Sequence, residues 1–183
     1  MALNATVFKA ELNVADMDRH YYADHSLTVA RHPSETDERM MVRLLAFALH
    51  AHERLEFGRG IGAADLEADL WLRDLTGRVD TWIDVGLPDE KRVLKACGQS
   101  EHVIVYAYGG RSAELWWSKA RAELERSRNL TVYALARETC DAITAMVEPR
   151  MELQLLVQEG ELWLACGDAR VSVVRETWRA EPA

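Results

Sequence analysis

The sequence predicts an α/β or α+β fold, in which a mixed β-sheet is flanked by helices. Between residues 79 and 147, strand-like and helix-like segments alternate, so that strand–helix–strand occurs twice in succession. Such units require right-handed crossovers onto one sheet. Segments rich in β-branched and aromatic residues near both ends of the chain add further strands. Because no linker, repeat or low-complexity tract interrupts residues 1–183, we expect a single domain. Its parts are N-terminal strands over 4–32, a core over about 34–135 and a strand-rich part over about 150–178.

The composition is that of a folded globular protein. The 183 residues are 49% hydrophobic and 28% charged, with 22 Lys and Arg against 30 Asp and Glu, which gives a net charge of −8. This acidic balance argues against a protein that coats nucleic acid non-specifically. No apolar stretch is long enough to span a membrane, and the first residues lack an export signal. Three widely spaced cysteines fit a reducing compartment, so we expect a cytoplasmic protein.

Two strands and a long helix are expected in the first third of the chain. Ala5–Val14 alternates between apolar and polar residues, and the stretch from His20 to His32 is rich in aromatic and β-branched residues. Ser34 is the predicted N-cap of a buried helix, with Asp37 three residues on in the capping-box position. The apolar periodicity predicts that this helix ends near Phe57.

The middle and end of the chain continue the alternation. Pro88 opens a short helix that Gly98 closes at Cys97. The other predicted elements are strands at Asp69–Arg73, Val79–Val85, His102–Tyr108 and Leu130–Leu135, helices at Ser112–Ser127 and Arg137–Val147, and strands within Met151–Trp178. No strand is evident in Gly58–Ala68.

The predicted hairpin of residues 69–85 places two aspartates opposite each other. If Thr76-Gly77 is a two-residue turn, residues that face each other have numbers that sum to 153. Since side chains alternate along a strand, the facing pairs share one side of the hairpin. These pairs are Asp69 with Asp84, Trp71 with Trp82, and Arg73 with Asp80.

Facing carboxylates repel each other unless water, a proton or a cation neutralises them. A divalent cation with oxygen ligands is one solution, and two solvated aspartates at strand ends are the alternative. On the long helix, Glu38 lies in phase with Val42 and Leu45, so we expect it to point toward the core as a third ligand. Glu35 is expected to interact with the helix dipole instead.

Basic residues near these acids are candidates for binding an anion. Lys91 and Lys95 share one face of the short helix, and either can reach toward Asp84. Arg111 follows Gly109-Gly110 between a strand end and a helix start, where free N–H groups can bind a phosphate. For each residue the alternative is a solvated side chain on the surface.

Several blocks of the sequence closely resemble the bacterial YaeQ family, over a region from Ala2 to about Trp163. The blocks are Arg31-His-Pro-Ser-Glu-Thr-Asp-Glu-Arg-Met-Met-Val-Arg-Leu-Leu-Ala-Phe-Ala-Leu49, Asp69-Leu-Trp71, Trp82-Ile-Asp-Val-Gly-Leu-Pro-Asp-Glu90, Lys95-Ala-Cys97 and Tyr108-Gly-Gly-Arg111.

This resemblance implies a variant of the PD-(D/E)XK fold of restriction-endonuclease-like enzymes, which hold Mg²⁺ beside a scissile phosphate. By resemblance, Glu38 matches the helix acid, Asp69 the aspartate of the "PD" motif and Asp84 the acid of the third motif. The sequence departs from this pattern at two positions: Ala68 stands where proline is expected, and Gly86 stands where the strand lysine is expected. In some members of the superfamily the following helix supplies the lysine, which implies Lys91 or Lys95 here.

Two functions are therefore expected. The first is a Mg²⁺-dependent phosphodiester hydrolase that acts on nucleic acid, with Glu38, Asp69 and Asp84 as metal ligands. The second is a binding or regulatory module that keeps the nuclease-like fold while its carboxylates have lost catalysis. The resemblance links this second function loosely to transcription elongation. The missing strand lysine and the net charge of −8 favour the second function, whereas three acids that are expected to converge favour the first.

Overall fold

The computed structural model describes residues 4–58 and 67–182 and has a mixed α+β architecture. The chain forms two compact units, Met1–Ala51 with Glu138–Val174, and His52–Arg137 with Arg175–Ala183. Each unit is built on its own mixed sheet, so the expectation of one sheet is wrong. Among the described residues, no helix has the length and apolar character needed to cross a membrane.

The first unit contains a five-stranded sheet in the order β10-β9-β8-β1-β2. Its long β1–β2 hairpin is antiparallel, whereas β1 and β8 run parallel, so strands from both parts of the chain meet at the centre. Alternate residues of β1 are buried, as the period of a half-buried strand requires. The strands are β1 (Thr6–Asp16), β2 (Tyr21–Arg31), β8 (Arg150–Gln158), β9 (Glu161–Cys166) and β10 (Ala169–Ser172).

Helix α1 (Asp37–Leu49) is shorter than predicted and has a different cap. Thr36 is the N-cap, and its hydroxyl accepts a hydrogen bond from the Arg39 N–H at 3.1 Å. Ser34 is not the cap, because its hydroxyl pairs with His32 Nδ1 at 2.6 Å. The helix ends at Leu49 rather than near Phe57, since polar residues interrupt the apolar stripe after Leu49 and the chain turns into a strand.

Glu35 was expected to interact only with the dipole of α1, but it forms a buried ion pair instead. Its carboxylate is buried and accepts hydrogen bonds from Arg43 at 2.7 and 2.8 Å and from Arg39 at 2.9 Å. Arg43 is itself fully buried and also donates to the Ala30 carbonyl at 3.1 Å. A charged pair inside the protein must be hydrogen-bonded in this way to offset the cost of desolvation. The pair therefore joins the start of α1 to β2.

The second unit contains a six-stranded sheet in the order β11-β7-β6-β5-β4-β3. The parallel order β5-β6-β7 confirms the predicted double strand–helix–strand unit. Strand β3 ends just before the stretch 58–68, in which no strand was expected. Most of that stretch, residues 59–66, lies outside the described residues. The elements are β3 (Leu55–Phe57), β4 (Leu70–Arg73), β5 (Val79–Val85), α2 (Glu90–Cys97), β6 (His102–Ala107), α3 (Arg111–Leu124), β7 (Leu130–Leu135) and β11 (Arg175–Arg179). After β7 the chain returns to the first unit through α4 (Arg137–Thr144).

The core of the second unit lies between one face of this sheet and helices α2 and α3. Trp82 and Val105 contribute from the strands, and Val93 and Trp117 contribute from the helices. Because register pairs Asp84 with Val105, the side chain of Asp84 lies on this same covered face. The packing of α2 therefore decides the surroundings of Asp84.

The corrected N-cap gives a test of helix α1. Replacing Thr36 by Ala removes the hydroxyl that accepts the Arg39 N–H, so we expect Thr36→Ala to lower the free energy of unfolding by about 1 kcal/mol. Ser34→Ala is the matched control and should change it by less than about 0.5 kcal/mol. Urea unfolding followed by circular dichroism measures both. A larger loss for Ser34→Ala would contradict the assignment of the cap.

Candidate functional site

The predicted register is confirmed in the centre of the β4–β5 hairpin. Leu70 pairs with Ile83 and Trp71 with Trp82, so the numbers sum to 153 as expected. The two indoles meet edge to face, with ring centroids 6.3 Å apart. Such aromatic pairs across strands help to fix the register.

The register fails at the turn end of the hairpin. A bulge pairs Arg73 with Val79, so the predicted pairing of Arg73 with Asp80 is wrong. Instead, Arg73 stacks over the Trp71 ring at 4.0 Å and donates to the Gly77 carbonyl at 3.0 Å. The bulge arises because the loop spans residues 74–78 and is longer than a two-residue turn, with the Asp74 N–H bonded to the Arg78 carbonyl.

At the other end of the hairpin, Asp69 and Asp84 lie side by side. The Asp69 N–H donates to Asp84 Oδ1 at 3.3 Å, and Asp69 Oδ2 accepts the Val85 N–H at 2.8 Å. Asp69 is only 6% exposed and Asp84 only 2%. The alternative of two solvated strand-end residues is therefore wrong, and both carboxylates need partners inside the protein.

The cation beside this carboxylate pair is Arg92 of α2. Its Nε and Nη2 atoms each lie 2.8 Å from one oxygen of Asp84, which forms a bidentate ion pair. Nη2 also donates to the Glu67 carbonyl at 2.7 Å. The guanidinium carbon lies 5.6 Å from the centroid of the Trp82 ring.

The sequence pattern indicated Lys91 and Lys95, whereas the residue that binds Asp84 is Arg92. Both lysines are exposed, whereas Arg92 lies one helical turn before the buried Ala96 and on the side of α2 that faces the sheet. A signal was present, because Arg92 and Ala96 are spaced i,i+4. That spacing reveals an inward arginine only once Ala96 is known to be buried.

Arg111 lies at the first residue of α3 and is exposed. The cap residue Gly110 has a positive φ of 57° and offers no side-chain hydrogen bond to the helix N–H groups. Its role as a phosphate ligand stays a prediction.

Burial has the largest effect on the pKa of the Asp84 carboxyl. Removal from water raises the pKa of the Asp84 carboxyl above its ordinary value, and the nearby charge of Asp69 raises it further. The hydrogen bonds and positive charge of Arg92 act in the opposite direction and do not cancel the effect of burial. Asp84 therefore has two opposing neighbours, one carboxylate and one guanidinium.

The residues of the second unit do not fit a divalent cation while Arg92 is bound to Asp84. Mg²⁺ takes oxygen ligands in a near-octahedral shell, but both oxygens of Asp84 accept from Arg92, and Asp69 Oδ2 accepts from Val85. Within the described part of this unit, no three His, Cys, Asp or Glu side chains form a group that could hold a metal ion. Glu38 is half-buried in the first unit, and its role as a ligand stays a prediction.

Comparisons with known proteins point to one family. A family model described as YaeQ protein matches residues 1–175. "Uncharacterized protein YaeQ" of Escherichia coli (strain K12) is 44% identical over 179 residues, which cover 98% of each chain. The crystal structure of YaeQ protein from Xanthomonas axonopodis pv. citri has 50% identity and a TM-score of 0.92, and covers 96% of this chain and 99% of that one. That of YaeQ protein from Pseudomonas syringae has 32% identity and a TM-score of 0.91, with 97% of both chains covered.

Removal of the guanidinium tests whether the carboxylate pair depends on it. Arg92→Met keeps much of the side-chain volume but leaves Asp84 buried without its cation. Breaking a buried ion pair lowers the free energy of unfolding by about 3–5 kcal/mol. We expect a decrease toward the lower end of this range, because the Arg92 side chain is 22% exposed. Lys91→Met is the neighbouring control and should stay within about 0.5 kcal/mol of wild type in urea unfolding. Equal effects of the two variants would contradict the role of Arg92.

The raised pKa of Asp84 predicts a pH dependence of stability. Between the ordinary value of 3.8 and the raised value in the fold, the folded state binds more protons than the unfolded state. The free energy of unfolding that Asp84 contributes therefore falls as pH rises through this window. Asp84→Asn does not titrate, so the wild-type value minus the variant value should decrease from pH 3.8 upward in urea unfolding at a series of pH values. An increase over this range would show that Arg92 outweighs burial.

Proposed function

The chain belongs to the YaeQ family, and from this premise we propose that it is a binding or regulatory module with a PD-(D/E)XK-like core in which an arginine replaces the metal ion. One observation carries the proposal: the bidentate ion pair between Arg92 and Asp84. A guanidinium in this position already neutralises the carboxylate that a nuclease would use to hold Mg²⁺. Arginine stays charged at any physiological pH, so this neutralisation does not depend on ion supply.

The backbone after β5 supports the same proposal. Gly86 stands where the resemblance leads us to expect a catalytic lysine, and its φ is +96°. A side chain at this φ is strained, so a lysine is disfavoured at this position. The Gly86 N–H bonds to the Tyr106 carbonyl at 2.9 Å, which holds the chain in this conformation. The strand therefore turns at the point where the nuclease motif would continue.

The charge of the chain guides the choice of partner. A net charge of −8 is unfavourable for non-specific contact with nucleic acid, which depends on Lys and Arg. We therefore favour a protein partner, and the transcription machinery is the class that the resemblance suggests. Lys91, Lys95 and Arg111 are exposed and remain candidates for contacts with this partner or with an anion.

Mg²⁺-dependent phosphodiester hydrolysis is the second candidate. The side-by-side carboxylates of Asp69 and Asp84 favour it, because acidic residues from adjacent strands suit a metal site. It requires Arg92 to leave Asp84, and the 22% exposure of the Arg92 side chain provides a route toward solvent.

A metal titration separates the two functions. We expect no change in the fluorescence of Trp71 and Trp82 when Mg²⁺ or Mn²⁺ is added to wild type at millimolar concentration. Arg92→Gln should gain a response, because it frees two carboxylate oxygens for the ion. The double variant Arg92→Gln/Asp84→Asn should lose this response again. Plasmid nicking by wild type should stay at the level of a metal-free control.

The opposite pattern would establish the second candidate. If wild type nicks supercoiled plasmid with Mg²⁺ and Asp84→Asn does not, the centre is a hydrolase and Arg92 is displaced in the active state. If Arg92→Gln binds no metal at all, the carboxylate pair is not a remnant of a metal site.

A further inference from the structure

The indole of Trp82 presents a buried N–H group without an acceptor. Trp82 is 3% exposed, and no described residue accepts a hydrogen bond from its Nε1 atom. Trp116 in the same unit shows the usual arrangement, because its indole N–H donates to the Pro88 carbonyl at 2.8 Å. An unpaired donor inside a protein raises the free energy of the fold. The Trp82 N–H is therefore available to any acceptor that comes within reach.

The Asp84 carboxylate is the acceptor that lies beside this N–H. Trp82 and Asp84 are two residues apart on β5, so both side chains lie on the face of the sheet that α2 covers. Arg92 contacts both, with its guanidinium carbon 5.6 Å from the centroid of the Trp82 ring. Burial raises the pKa of the Asp84 carboxyl, and the Trp82 N–H is one of the weaker groups that lower it. The N–H is therefore close to the carboxylate without donating to it while Arg92 is bound.

The bidentate pair with Arg92 sets the orientation of the Asp84 carboxylate. Oδ2 accepts from Arg92 Nε and Oδ1 from Arg92 Nη2, both at 2.8 Å, and Oδ1 also accepts the Asp69 N–H at 3.3 Å. Because two parallel bonds to a planar guanidinium fix the plane of the carboxylate, Asp84 cannot turn toward Trp82 while Arg92 is bound. Each carboxylate oxygen can accept two hydrogen bonds, so the loss of Arg92 frees acceptor sites for the indole N–H.

Arg92 is the most exposed of these three side chains. Its side chain is 22% exposed, whereas that of Asp84 is 2% exposed. Trp82 and Asp84 belong to β5, an interior strand of the six-stranded sheet, so the two residues are held in place on both sides. A separation of the ion pair therefore moves Arg92 outward and leaves Asp84 buried. A buried carboxylate that loses its partner is strongly destabilising, so Asp84 then requires another donor.

We propose that Trp82 is a positioning residue that supplies this donor: when Arg92 withdraws, the Asp84 carboxylate turns and accepts the Trp82 N–H. Asp84 then keeps two donors, the indole of Trp82 and the backbone N–H of Asp69. The ion pair can thus open and close reversibly, which makes Arg92 a switch of the regulatory module. This switch rests on the proposed function, in which Arg92 rather than a metal ion neutralises Asp84.

The indole N–H signals of the full chain, recorded by NMR on ¹⁵N-labelled protein in metal-free buffer, test the switch. The Trp82 signal is the one that disappears in Trp82→Phe. In Arg92→Met we expect this proton to move downfield and to exchange with solvent about tenfold or more slowly than in wild type, because a hydrogen bond to a carboxylate forms. If removal of Arg92 merely opened the site, exchange would become faster. Asp84→Ala in addition to Arg92→Met should abolish both changes.

The chain provides its own controls. Trp116 is the internal one, because its N–H already donates to the Pro88 carbonyl and should keep its shift and exchange rate in every variant. Lys91→Met, at the exposed neighbour of Arg92, should leave the Trp82 signal unchanged. If Arg92→Met does not fold, Arg92→Lys keeps the charge but not the planar bidentate contact, and it should show the same changes with smaller amplitude.

Three results would overturn the switch. These are a Trp82 signal that stays in place or moves upfield in the Arg92 variants, faster exchange of its N–H with solvent, and a downfield shift that persists when Asp84→Ala is added. The last result would mean that the indole donates to another acceptor. Because the measurement contains no metal, its failure is distinguishable from failure of the proposed function, which plasmid nicking by wild type would reject whatever the Trp82 signal does.

Discussion

The second unit depends on the neutralisation of two carboxylates that its hairpin buries side by side. Asp69 and Asp84 are nearly inaccessible to water, and the negative charge of each raises the free-energy cost of burying the other. Arg92 offsets this cost with a bidentate pair to Asp84, while backbone N–H groups bind both carboxylates. Since Arg92 belongs to α2, the same bonds fix that helix on the sheet. The site and the core of this unit therefore form together.

In both units an arginine neutralises a buried carboxylate. In the first unit, Glu35 is buried beside Arg43 and Arg39, and Arg43 also binds a backbone carbonyl of β2. In each case the planar guanidinium satisfies several acceptors in one geometry, which a lysine ammonium cannot do. Such a pair contributes little net stability compared with an apolar core, but it penalises every arrangement that leaves one charge unpaired.

Different interactions fix the two ends of the β4–β5 hairpin. Its open end holds the carboxylate pair in the register that Trp71 and Trp82 fix. At its closed end, a bulge and hydrogen bonds to the Asp74 carboxylate shape the loop of residues 74–78. Facing side chains determine the register of the strands, whereas hydrogen bonds from a side chain to the backbone determine the conformation of the loop.

The sequence by itself determined the elements whose signals are local. Strand β5, strand β7, the parallel order β5-β6-β7 and the facing of Asp69 and Asp84 all follow from side-chain alternation and from chain order. Tertiary structure decided what depends on distant partners: the division into two sheets and the choice of Arg92 over Lys91 and Lys95. The cap at Thr36 and the end of α1 at Leu49 rest on local contacts, although the sequence pattern indicated other residues. The pairing of β8 with β1 joins residues about 140 positions apart, and no local pattern encodes such a contact. Packing selects among side chains that look equivalent in sequence, because only the folded chain shows which of them are removed from water.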